Sequence, residues 1–98
     1  MFPKEIKGDP VILVATTADK HWPKGYTTPE DGVNKIQPVN RFAIVRSLGF
    51  DDEPIYRVYC LHHHNNIVTS DFYFTSESAQ NFLDVEYGLV DVQWHAVH

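Results

Sequence analysis

Three consecutive histidines, His62-His63-His64, are the densest group of candidate ligands in the chain. Neutral imidazole binds transition metals and titrates near neutral pH. On extended backbone successive side chains alternate, so only His62 and His64 can share a side. No cysteine or acid stands at a recognised ligand spacing from them, so no zinc signature is completed and no metal is expected. The run reads as a polar hairpin tip. His95 and His98, three apart, point to opposite faces of a strand and make no two-ligand grip. The one cysteine, Cys60, can form no internal disulfide. It falls inside an expected strand, where a free thiol behaves as a small buried hydrophobe. Nucleophilic catalysis would need a base and an orienting group beside it. No G-x-S-x-G, P-loop or G-x-G-x-x-G occurs. The residues therefore point away from an enzyme, and no cofactor is expected.

The carboxylates are more informative. The 98-residue chain carries a net charge of −5, unevenly distributed. Residues 1–49 hold seven Lys/Arg against five acids; residues 50–98 hold Arg57 alone against eight. Those eight are Asp51, Asp52, Glu53, Asp71, Glu77, Asp84, Glu86 and Asp91. A half so charged repels phosphate backbones and steers cationic partners, which argues against nucleic-acid binding and for a basic protein partner. A small His-pair ribonuclease would need cations to hold phosphate, and this half has only Arg57. Nothing in the spacing of the acids favours paired-carboxylate hydrolysis over a solvated surface. Glu86 is the acid hardest to place, because it projects into an otherwise apolar helix stripe. A hydrogen bond from a Tyr or Trp is the plain expectation for it.

These groups must be positioned by a small single domain, residues 1–98, with one modest core. Hydrophobic residues at 43% and aromatics at 13% suit a folded globular chain. The start, MFPKEIKGDP, lacks the apolar stretch of a secretory signal. The longest apolar run, Val11 to Ala15, is far short of a membrane span. With no disulfide framework, a cytoplasmic protein without membrane contact is expected.

Residues 11–16 read as a short buried strand, and 18–41, rich in Pro and Gly, mainly as loop. Within that loop, Thr28-Pro29-Glu30-Asp31 is a helix-start signal for a short helix over about 29–36. Residues 42–48, 55–61 and 67–74 read as three strands of an antiparallel meander, with Asn65-Asn66 suited to a turn. The clearest helix covers about 76–87. Thr75 and Ser76 can cap it, Gly88 stops it, and Ala79, Phe82, Leu83 and Tyr87 share a face bordered by Val85. Alternation over 90–97 reads as a last half-buried strand, with Val90, Val92, Trp94 and Ala96 inward. The fold class expected is α+β: a mainly antiparallel sheet of four to five strands with one clear helix. Aromatics fall on both parities of the 67–74 strand, Tyr73 against Phe72 and Phe74. Either both sheet faces are covered, or one shows Tyr among acids, as at interface hot spots.

The segment Asp71 to Trp94, DFYFTSESAQNFLDVEYGLVDVQW, resembles a tail found in small bacterial toxin-immunity proteins. The matching elements are Phe74, Thr75, Glu77, Ala79, Glu86, Tyr87, Gly88 and Trp94. The resemblance covers about a quarter of the chain and transfers no functional residue. It implies a small cytosolic bacterial partner protein.

Composition and resemblance converge on a non-catalytic inhibitor that neutralises a basic, nuclease-like toxin by occlusion. Asp51, Asp52, Glu53, Asp71, Asp84 and Asp91 would mimic phosphate charge, and Tyr73 would serve as aromatic anchor. One alternative is an accessory or regulatory subunit, or a self-associating domain forming a homodimer. Another is a His-dependent enzyme or metal protein, which would need His62 or His64 to meet His95 or His98, or an acid, within ligand or hydrogen-bond reach.

Overall fold

The computed structural model describes residues 2–22, 28–29, 38–61, 67–90 and 92–97. Its elements run β1 (Glu5–Ile6), β2 (Asp9–His21), β3 (Thr28–Pro29), β4 (Val39–Leu48), β5 (Pro54–Leu61), β6 (Ile67–Tyr73), α1 (Ser76–Gln80), α2 (Phe82–Tyr87) and β7 (His95–Ala96). All pairings are antiparallel, in the order β1-β2-β4-β5-β6-β3, with β7 added to β2 beside β1. The domain is therefore α+β, a curled antiparallel sheet carrying one helical arm. No described helix is long and apolar enough to cross a membrane.

Strands β4, β5 and β6 lie where β-branched and aromatic residues concentrate. Two differences from the sequence reading involve the supposed loop. Strand β2 runs on to His21, and β4 begins at Val39, three residues before the apolar pattern. The mostly polar residues 16–21 stay in the strand although no apolar alternation marks them. Of these, Thr16 pairs with Arg41 and His21 with Val39, on either side of a register irregularity. Thr28 and Pro29, read as a helix start, instead pair with Ser70 and Thr69 of β6. The rest of the expected 29–36 helix lies outside the described residues.

The helix expected at 76–87 is present as two consecutive segments joined at Asn81. The Thr75 hydroxyl accepts from the Ser78 amide at 3.1 Å, satisfying one of the free donors of the first turn. At the other end Gly88 takes a left-handed conformation (φ 69°), and its amide returns to the Asp84 carbonyl at 2.9 Å. The expected stripe of Ala79, Phe82, Leu83 and Tyr87 is buried, while Val85 is exposed.

The expected strand over 90–97 shrinks to His95–Ala96, paired with Val14 and Leu13. The Trp94 indole donates to the Gln80 carbonyl at 3.0 Å. Val92 and Trp94 lean on the helix-side core, whereas Val90 and Ala96 are exposed. Docking onto the helix, rather than sheet extension, satisfies this segment.

Cores form on both faces of the sheet. Under the helices, Phe42, Ile44, Val58, Cys60, Val68, Phe82 and Tyr87 pack together, with Phe42–Tyr87 and Phe82–Tyr87 ring pairs at 5.5 and 5.7 Å. On the opposite face Ile6, Val11, Ala43, Val45, Tyr59 and Leu61 form a second cluster. Four successive residues of β4, Phe42 to Val45, are 0% exposed because each face claims two of them.

Candidate functional site

The face of the sheet away from the helices carries the exposed features. By alternation, Val45 and Ser47 of β4, Ile55, Arg57 and Tyr59 of β5, and Ser70 and Phe72 of β6 belong to it. Register sets Arg57 between Val45 and Phe72, and Tyr59 between Ala43 and Ser70.

At one end lies the β4–β5 turn. Asp51 and Asp52 both have left-handed backbone (φ 59° and 58°), which Asp tolerates better than most residues. The Gly49 amide closes the turn on the Glu53 carbonyl at 2.8 Å. A β-carbon at Gly49 would stand 3.0 Å from Ile55 Cγ2, so the close approach favours glycine. This turn holds Asp51, Asp52 and Glu53 exposed and adjacent.

Beside the turn opens a cleft of about 790 Å³, lined chiefly by Leu48, Pro54, Ile55, Phe72 and Phe74, with Glu53 at its border. Three of these residues are strongly exposed: Leu48 at 66%, Phe72 at 53% and Phe74 at 74%. The two phenylalanines meet edge to face at 5.8 Å, and the Arg57 guanidinium lies over the Phe72 ring at 5.8 Å. Farther along the same face a polar hollow of about 420 Å³ is lined by Lys7, Asp9, Ser47, Arg57, Tyr59 and Ser70. Arg57 thus borders both hollows. Burial raises the Tyr59 hydroxyl above its ordinary range, against the pull of Arg57 and with the help of Asp9.

A third group lies under the helices. Asp71, half-buried on β6, faces Glu86 of α2. Neither Asp71 Oδ2 nor Glu86 Oε2 has a hydrogen-bond partner among the described residues. Loss of solvent, reinforced by the Glu86 charge, raises the Asp71 carboxyl to about 6. Tyr73 packs edge to face on Phe82 at 6.2 Å and is pushed up to about 12, first by burial and then by these two carboxylates. The Thr69 and Tyr87 hydroxyls sit beside the Cys60 sulfur, yet neither reaches hydrogen-bond geometry. Burial pushes the Cys60 thiol up to about 12, so it holds its proton at neutral pH and is no nucleophile there.

The expected partner-binding residues therefore lie in separate places. Asp51, Asp52 and Glu53 are together on the turn. Asp71 and Tyr73 are half-buried beneath the helix, and Asp84 is exposed on α2. Asp91 lies outside the described residues, as do His62, His63, His64 and His98. His95 is exposed on β7. No group of three metal-ligating side chains gathers among the described residues. Glu86 meets Asp71 rather than a Trp donor, since the Trp94 indole is taken by Gln80. Among the described aromatics Trp22, Phe72 and Phe74 are strongly exposed, and the last two line the cleft. Sequence parity separates Phe72 from Tyr73, but only the position of the helix shows which side stays open.

Compared with known proteins, the chain matches no family model, and neither the curated proteins nor the solved structures include a significantly similar one.

Proposed function

We propose that this protein is a non-catalytic binding module that captures a basic segment of a partner protein at the β4–β5 turn, as an inhibitor would. The observation that carries the reading is adjacency. The exposed carboxylates Asp51, Asp52 and Glu53 share one turn, and Glu53 lines an open cleft whose walls include solvent-exposed Leu48, Phe72 and Phe74. Apolar anchors surrounded by charge are the usual anatomy of a recognition patch. Carboxylates on the rim speed and orient the approach of a cationic partner, while buried anchors hold it. In its specific form, taken from the likeness of residues 71–94 to bacterial immunity proteins, the partner is a basic nuclease-type toxin. Asp51, Asp52 and Glu53 then stand where nucleic-acid phosphates would, and Phe72 and Phe74 replace Tyr73 as anchors. Asp71 and Asp84 are not needed for this patch.

The test is selection from a random-peptide display library. The expected ligands carry Lys or Arg beside an aromatic or aliphatic residue. Their affinity should fall steeply with salt, and at least tenfold when Asp51, Asp52 and Glu53 are changed to Lys. Ligands without a basic bias, or affinities untouched by the triple change, would overturn the proposal. A salt-insensitive homodimer that buries Phe72 and Phe74 would favour the self-associating alternative.

A further inference from the structure

The hollow beyond Arg57 is not used by that docking reading, and its chemistry is of another kind. Its lining brings Lys7 and Arg57 together with Asp9, and adds the hydroxyls of Ser47, Tyr59 and Ser70. Two cations and one carboxylate thus line the hollow together. Arg57 offers a planar donor fork suited to a carboxylate, and the hydroxyls can donate beside it. Arg57 also lines the apolar cleft, and its guanidinium lies over the Phe72 ring there. Headgroup chemistry and tail chemistry therefore adjoin on one sheet face, within volumes typical of small-molecule sites, about 300–1,000 Å³.

We infer that this face is a binding site for a small monoanionic amphiphile, a carboxylate attached to an aliphatic or aryl tail. The carboxylate lies between Lys7 and Arg57 with the Tyr59, Ser47 and Ser70 hydroxyls around it. The tail runs past Arg57 over Phe72 into the cleft of Leu48, Ile55 and Phe74. Asp9 sets the charge selectivity, because its carboxylate repels a second negative charge on the ligand. Raised by burial, the Tyr59 hydroxyl stays protonated and remains a donor at neutral pH. Selectivity for an anion arises at one end and tolerance of tail length at the other, because the cleft is open to solvent.

Octanoate is the probe, titrated into the intact protein and followed by calorimetry and amide chemical shifts. Octanol and octylammonium, with the same tail, are the controls. Octanoate should bind at least tenfold more tightly than either, with the largest shifts at Arg57, Tyr59, Ser70 and Phe72. Arg57→Gln should weaken octanoate at least fivefold and leave octanol unchanged. Lys7→Asn offers a second route if the first variant folds poorly, because Lys7 has a left-handed backbone (φ 53°) that Asn tolerates. Equal affinity for octanoate and octanol would overturn the assignment. So would shifts confined to other faces, or octanoate binding that survives loss of both cations. Reversal of Asp51 and Asp52 to Lys, which the docking reading cannot survive, should leave octanoate affinity within about threefold at 0.15 M salt, where the Debye length is about 8 Å. The two readings therefore fail separately.

Discussion

Replacing Asp71 with Asn should make the protein more stable at neutral pH, although it deletes a charged group. The carboxyl is raised from 3.8 to about 6, mainly because folding removes it from water and secondarily because Glu86 faces it. The folded state therefore holds this proton more tightly than the unfolded chain does. Stability from this group is complete below about pH 4, declines as pH rises toward 6, and is level above that. At about 1.36 kcal/mol for each pH unit between the two titrations, the ceiling on the loss is about 3 kcal/mol. Asp71 is only half-buried, so solvent screening reduces this to about 1–1.5 kcal/mol. Asn keeps the shape and cannot ionise, and its amide can donate to the Glu86 carboxylate. Asp71→Asn should thus gain about 1–1.5 kcal/mol at pH 7, or very roughly 5–10 °C in Tm for a domain of this size. Below pH 4 the two proteins should converge. Urea unfolding at half-unit steps from pH 4 to 8 measures both quantities. A variant that is less stable at pH 7, or a wild-type minus variant difference that does not change between pH 4 and 6, would refute the reasoning.

Other perturbations test the parts that hold the site. Cys60 should resist thiol reagents in the native protein and react fully in denaturant, because its thiol is buried and protonated; labelling followed by mass spectrometry reads this. Thr75→Ala should cost about 1 kcal/mol and Thr75→Ser much less, since only the hydroxyl caps α1; chemical denaturation distinguishes them. Phe82→Ala, which empties a fully buried place between Tyr73 and Tyr87, should cost about 3–5 kcal/mol in the same assay. Phe74→Ser should change stability by under about 0.5 kcal/mol, because the side chain is 74% exposed, while reducing binding of the selected basic peptides.

The sequence carries the meander, the helix with its Thr75 and Gly88 boundaries, and its buried stripe, because each rests on local periodicity and capping. The ends of β2 and β4 are not legible. Thr16 and His21 join the sheet through backbone pairing around an irregular stretch, which leaves no mark on side-chain pattern. Thr28-Pro29 has the residues of a helix start, yet a tertiary partner, β6, claims it as strand. The 90–97 alternation suggests a full strand because a period of two does not say what the apolar side meets. Trp94 meets the helix. For the site, charge asymmetry directs attention to the acids, but a count of carboxylates is one-dimensional. Asp71 and Asp51 share a sign, and the fold buries one against Glu86 and exposes the other on a turn. Arg57, the lone cation of its half, reads in sequence only as a shortage of positive charge. Its place between two hollows emerges from the register with Phe72.

Strand β4 has no free side from Phe42 to Val45. Ala43 and Val45 are the backing of the open face, and Phe42 and Ile44 are the floor on which the helices rest. A strip four residues long is thus a common wall between two compartments. Neither compartment can loosen without disturbing the other's support, so an occupant settling on the open face should slow amide exchange beneath α2, on the far side of the wall. Such coupling needs no hinge and no displaced helix, only a partition thin enough for both sides to feel.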